Sequence, residues 1–194
     1  MKKGLTATMG LALLLCIVST GLAADSKYVD VTAFVPQQNG LTVTVSKVVG
    51  TTFTPASSIN FGTLVFDTVD KIFRTSDGSY YAVDVGCNSN ADAWTLTHTV
   101  TSLSNGTDNL DYNVNVTFIK QTSDTSGTQI GSILSYAGSH GKAFTKSQLS
   151  GGWLRVYYGL ATGEAGKDAS DVTPVPVTKT YGAYSGRVTF TLSP

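Results

Sequence analysis

Tyr28-Val29-Asp30-Val31-Thr32-Ala33-Phe34-Val35 and Leu41-Thr42-Val43-Thr44-Val45-Ser46 are two alternating stretches separated by Pro36-Gln37-Gln38-Asn39-Gly40. A period of two puts Val29, Val31, Ala33 and Val35 on one side of the first stretch. It puts Leu41, Val43 and Val45 on one side of the second, as half-buried β-strands require. Pro36 and Gly40 punctuate the chain between them. Two arrangements follow for Tyr28–Val35. It is the first strand of its own domain, or it is a spare strand that pairs elsewhere.

Upstream, Met1–Ala23 has the build of an export signal. Lys2 and Lys3 form a short basic start, Met9–Val18 an apolar core, and Gly21 and Ala23 supply the small residues of a cleavage site. The apolar run is too short to cross a hydrocarbon layer of ~30 Å as a helix. Cys16 belongs to this discarded leader. Of 194 residues, the 171 that remain suit one domain with a real core. The expected organisation is a signal over 1–23, an N-terminal extension over 24–39 and a β-sandwich domain over 40–194.

Charge balances at 13 basic and 13 acidic residues, and losing Lys2 and Lys3 leaves the exported chain at −2. Such a sparse, faintly acidic surface does not attract nucleic acid or anionic lipid. Glu164 is the only glutamate, while Thr, Ser, Val and Gly abound, which disfavours helices and favours pleated strands. Cys87 is the single cysteine outside the leader. It shares one face with Val83 and Val85, so it reads as a buried thiol.

Further strands are expected at Ile59–Phe66, Tyr80–Cys87, Ala93–Leu103, Tyr112–Phe118, Trp153–Leu160 and Gly186–Leu192. Thr54–Ser58 reads as a break and Gly62 as a bulge. Asn105-Gly106 predicts a hairpin returning along Tyr112–Phe118. Thr122–Gly127 and Ala161–Asp171 read as loops, and Thr145–Gln148 has capping-box spacing. Pro174 and Pro176 confine Val172–Val177 to an edge or an extended connection. About eight strands at this spacing make an all-β chain folded as a two-sheet sandwich.

Chemistry is thinly represented. His98 and His140 stand apart, with no second ligand at metal spacing, and read as structural or surface residues. No nucleophile motif and no phosphate-cradling glycine loop occurs. The chain therefore reads as a non-enzyme that needs no cofactor. Asn88-Ser89-Asn90-Ala91-Asp92 has oxygen side chains at alternate positions, yet Ala93 stands where a calcium loop carries glycine. Trp94, Trp153, Tyr157, Tyr158, Tyr181 and Tyr184 supply the aromatics for a sugar-binding face or for the core, and Trp153, Arg155 and Tyr157 alternate onto one side of a strand. A secreted carbohydrate-binding module is accordingly the alternative reading.

Three segments resemble bacterial fimbrial subunits of the chaperone–usher type and the related spore-coat-U-like secreted proteins. They are Ile59-Asn60-Phe61-Gly62, Val83-Asp84-Val85-Gly86-Cys87-Asn88, and the closing Gly182–Leu192 with its Val188-Thr189-Phe190-Thr191-Leu192 strand. The resemblance implies an immunoglobulin-like sandwich that lacks one strand and receives the N-terminal extension of a neighbouring copy. The donor strand would be carried by Tyr28, Val29, Val31, Ala33 and Val35. The implied product is a homopolymer, a filament or coat outside the cell, with a periplasmic chaperone as a further implied partner. Two features depart from the family. Cys87 has no partner in an early strand, and the terminus is Leu192-Ser193-Pro194, without a penultimate aromatic.

Overall fold

The computed structural model describes residues 31–194, and its regular structure is almost wholly antiparallel strand. The expected leader, Cys16, and Tyr28 and Val29 of the extension lie outside the described residues. The strands are β1 (Asn39–Val49), β2 (Thr52–Ala56), β3 (Val65–Asp67), β4 (Ile72–Arg74), β5 (Tyr80–Ser89), β6 (Thr95–Val100), β7 (Val114–Ser123), β8 (Ser126–Gln129) and β9 (Leu134–Ser135). After these come β10 (Lys142–Thr145), the short helix α1 (Lys146–Leu149), β11 (Trp153–Leu160), β12 (Val175–Pro176) and β13 (Val188–Ser193).

The larger sheet runs β2-β1-β5-β11-β7-β8, with β9 also on β7. The smaller runs β10-β6-β13, and β12-β4-β3 forms a third, peripheral ribbon. Alternation explains which face goes in. Tyr81, Val83 and Val85 of β5, Leu154, Val156 and Tyr158 of β11, and Val114, Val116 and Phe118 of β7 are buried. Leu96 of β6 and Phe144 of β10 meet them from the smaller sheet. Burying each such side chain contributes roughly 1.5–3 kcal/mol, so this shared face is the main source of stability. The all-β sandwich expected from the strand pattern is what forms. Pro36–Pro194 makes one compact unit, and Val31–Val35 before it belongs to no strand.

Several expected elements differ. Asn105-Gly106 does turn the chain, with the Asn105 carboxamide accepting from Thr107 N and Asp108 N, but β6 and β7 do not pair. The chain there crosses from one sheet to the other, because Val114, Val116 and Phe118 find their partners on β11. Thr54–Ser58 is not a break throughout, since Thr52–Ala56 pairs with β1. Pro55 is accommodated because β2 is an edge strand and needs one ladder only. Ile59–Leu64 is not strand. Gly62 sits at φ +69° and donates to Asn60 Oδ1 at 2.9 Å, which bends the chain before β3. Thr122–Gly127 is no loose loop, because Ser126–Gln129 returns as β8 after a tight turn. The capping box at Thr145 and Gln148 is present and starts α1.

On the outer face of the larger sheet, Arg155 is buried and forks onto Asp84, with Nε to Oδ1 at 2.6 Å and Nη2 to Oδ2 at 2.8 Å. Trp153 Nε1 donates to the same carboxylate, and Phe53 lies over the guanidinium at 4.9 Å. Asp84 holds the Arg155 guanidinium above its ordinary range. Removing one partner of such a buried pair strands the other, at a cost of about 3 kcal/mol. Asp84→Ala is therefore expected to lower the urea midpoint sharply. Lys47→Ala, which breaks the exposed pair to Asp77, should hardly move it.

Candidate functional site

The smaller sheet has three strands and the larger has six along its path, so the inner face of the larger sheet is not fully covered. The shortfall falls between β13 and β1. A groove of about 1050 Å³ runs there, at the upper end of the size of small-molecule sites. Val83, Val114 and Tyr158 form its floor, Val188 and Phe190 one wall, and Val43 and Val45 with the Ile59–Leu64 segment the other. Val43 shares the core-facing side of β1 with Leu41 and Val45, yet it is 47 % exposed. Leu41, Val45, Val188, Phe190 and Leu192 are only partly buried although all pack against the core.

The main chain along this groove is also unmatched. Thr101 N donates to Arg187 O at 2.9 Å, and the register then runs Val188↔Val100 to Ser193↔Thr95. Bonded pairs alternate along an antiparallel ladder. Thr189, Thr191 and Ser193 thus spend their N–H and C=O groups on β6, while those of Val188, Phe190 and Leu192 point to the opposite edge. No strand among the described residues pairs with that edge. β1 has a similar stretch, because β2 pairs with it only from Val45 onward. The site is thus a strip of apolar side chains flanked by free backbone donors and acceptors.

Local sequence explains both rims. On one side, Phe61 packs edge-on against Tyr81 at 5.7 Å, and the Tyr81 hydroxyl donates to Asn60 O, which seats the Ile59–Gly62 bend. On the other, the strap Lys179–Tyr184 crosses the groove's end. Lys179 Nζ lies 3.0 Å from Asp108 Oδ1, Thr180 N donates to Asp108 Oδ2, and Tyr184 donates to Thr180 O at 2.6 Å. The Lys179 hydrogen bond above all lowers the Asp108 carboxyl to about 2.

The residues singled out from sequence scatter instead of converging. Val31, Phe34 and Val35 of the extension are 91, 89 and 75 % exposed, and Val31, Ala33 and Val35 lie in no strand. Trp94 and Tyr158 are core, Trp153 and Tyr157 lie on the outer sheet face, and Tyr181 and Tyr184 belong to the strap. Cys87 is half-buried against the core as a free thiol, raised by desolvation. Asn90 and Ser89 of the polar Asn88–Asp92 stretch bond to the Pro36–Asn39 segment. Sequence reasoning missed the groove itself. Leu41, Val43 and Val45 were legible as a core face, but nothing in their spacing says that this face is left partly uncovered.

Behind the groove, His98 is fully buried. Its Nδ1 lies 2.9 Å from Ser139 O and so carries the proton, which leaves Nε2 to accept from the Tyr158 hydroxyl at 2.8 Å. Phe190 packs on the ring at 5.2 Å. His140 is at the surface, with Nδ1 2.9 Å from Val100 O. Among the described residues no helix is long and apolar enough to cross a membrane. No protein-family model matches this chain, and no curated protein sequence matches it.

Burial above all pushes the His98 imidazole down to about 4 from its ordinary 6.5, against the partial support of the Ser139 carbonyl. The unfolded chain takes up this proton near pH 6.5 and the folded chain only near pH 4. Between the two the unfolded state binds more protons, so stability falls as the pH falls. The contribution is complete above pH 6.5 and is lost by pH 4, on the order of 3 kcal/mol. Urea unfolding at stepped pH should show this slope in the wild type and a shallower one in His98→Gln.

Proposed function

We propose that the chain is an exported structural subunit that assembles into a filament or coat at the cell surface. Its groove receives the N-terminal strand, Tyr28–Val35, of a neighbouring copy. The observation that carries this reading is the edge of β13, where the outward main chain of Val188, Phe190 and Leu192 borders an uncovered apolar strip. An extended segment is the ligand such a site fits. It satisfies the free N–H and C=O groups by joining the sheet, and alternate side chains enter the groove. A six-residue edge spans roughly 20 Å, which a strand of the length of Tyr28–Val35 covers.

The extension supplies the matching half. Val29, Val31, Ala33 and Val35 recur at every second position, and the described part of the segment is exposed. An exposed apolar strand and an open sheet edge are both aggregation hazards when left uncovered. Their pairing removes both at once. Before assembly, a periplasmic chaperone that lends a strand to the same edge would protect the groove. The role is mechanical and calls for no catalytic group or cofactor.

The test compares residues 24–194 with residues 36–194, which retain the whole compact unit, by light scattering and negative-stain imaging. Filaments or ladders are expected from the longer chain only. A synthetic peptide of residues 24–36 should raise the melting temperature of the shorter chain, and should fail to do so when Phe190→Asp places a charge in the groove. A longer chain that stays monomeric at all concentrations, together with a peptide that does not bind, would overturn the proposal.

A further inference from the structure

The root of the extension is held in a way that bears on where the extension can go. Asn39 and Gly40 form a dipeptide favoured in two-residue hairpin turns, which need positive φ. A turn at Pro36–Gly40 would fold Val29–Val35 back antiparallel to β1, along Leu41–Val45 and into the chain's own groove. The structure has no such turn. Gly40 is not among the positive-φ glycines, and Asn39 and Gly40 are in ladder with Ser89 and Asn88.

Asn90 extends that ladder past its last backbone pair. Its N–H donates to Gln38 O at 3.3 Å, and its side-chain oxygen accepts from Gln38 N at 2.7 Å. Its side-chain Nδ2 donates to Pro36 O at 2.9 Å. One residue thus meets three main-chain groups of Pro36–Gln38 and keeps them in line with β1. Ser89 Oγ donates to Asn39 Oδ1 at 2.6 Å beside it. Pro36 stiffens the same segment, with φ fixed near −65° and Val35 confined to extended backbone.

We propose that Asn90 is a positioning residue that holds the root of the N-terminal strand in line with β1, bars it from its own groove, and so commits it to a neighbouring copy. The inference rests on the strand-donation reading above. It differs from that reading in what it requires of a single molecule. The open and self-closed forms compete within one chain, and the Asn90 side chain weights the open one.

The test uses residues 24–194 as wild type, Asn90→Ala and Asn90→Asp. Asn90→Ala removes both side-chain bonds, and Asn90→Asp keeps the acceptor for Gln38 N while losing the donor to Pro36 O. Two exposed hydrogen bonds at the weak end of the usual range correspond to a shift of about tenfold toward the self-closed monomer in Asn90→Ala. Hydrogen exchange on the monomer fraction should find the Val29–Val35 amides unprotected in the wild type and protected in Asn90→Ala. Asn90→Asp should fall between them, and it decides the question if Asn90→Ala does not fold. Polymerisation from monomer should slow in Asn90→Ala in step with the lost open fraction, by about threefold to fivefold when the wild-type arm is mostly open. Arm amides equally unprotected in wild type and variants, or already protected in the wild-type monomer, would overturn the role of Asn90. A wild type that never polymerises would overturn strand donation alone, because hydrogen exchange still reads the clamp.

Discussion

β13 faces the core with its side chains but has a hydrogen-bonded neighbour on one side only, and the rest of the architecture is arranged around that imbalance. A sheet edge can be tolerated at a surface, where water meets its main chain. It is costly where the same residues must also bury apolar side chains, because any water that reaches the backbone reaches those side chains too. Val188, Phe190 and Leu192 are in that position. Their partial burial follows from the groove beside them, where no strand among the described residues pairs with the outward edge of β13. The Ile59–Leu64 bend and the Lys179–Tyr184 strap narrow the gap from its two sides, and neither supplies a ladder along β13.

A gap of this kind keeps its shape only if the two sheets cannot slide together. The hydrogen bond between His98 of β6 and Tyr158 of β11 crosses the interior and ties one sheet to the other beside the groove. Ser139 O closes the chain of partners on the far side of the imidazole, so the buried polar atoms are satisfied rather than strained. A leucine at position 98 would fill space but carry no directional constraint. The Asp84–Arg155 fork, with the Phe53 ring of β2 against the guanidinium, does comparable work on the outer face by locking β5 to β11. His98, read from sequence as structural or surface, and the Asp84–Arg155 pair thus hold the inner and outer faces of the large sheet in place.

Strand existence was the most legible part of the sequence. Trp153–Leu160 coincides with β11 to the residue, and Cys87 lies on the core side with Val83 and Val85 as alternation requires. Pairing was far less legible. Asn105-Gly106 has the turn chemistry of a hairpin, but turn chemistry is local while the choice between β6 and β11 as a partner for β7 is made by burial over the whole sheet. Gly62 is similar, since a glycine in an alternating run marks either a bulge or a full bend, and only the Tyr81–Asn60 contact decides. Asn90 stood in a run of alternating oxygens that suits a polar turn as well as a cation, and its contacts to the Pro36–Gln38 backbone have no sequence signature. The groove was illegible for a deeper reason. A groove lined by β1, β13, the Ile59–Leu64 bend and the Lys179–Tyr184 strap has no sequence signature of its own, so it becomes visible only when those segments are placed.

Under the strand-donation proposal, the geometry of donor and acceptor also dictates the kind of assembly. The donor is the N-terminal extension and the acceptor is the edge of β13, two different surfaces of one chain. Contacts between unlike surfaces are heterologous, and they propagate unless the rotation relating successive copies happens to close a ring. A two-fold dimer would need each copy to give and receive at once, with both extensions reaching across the same axis. Holding Pro36–Gln38 in line with β1 works against self-closure, because it removes the bend that folding back along β1 needs. Under the same proposal, the Asn90 contacts that look like a minor trimming of a strand end weight an open-ended chain over the self-closed monomer.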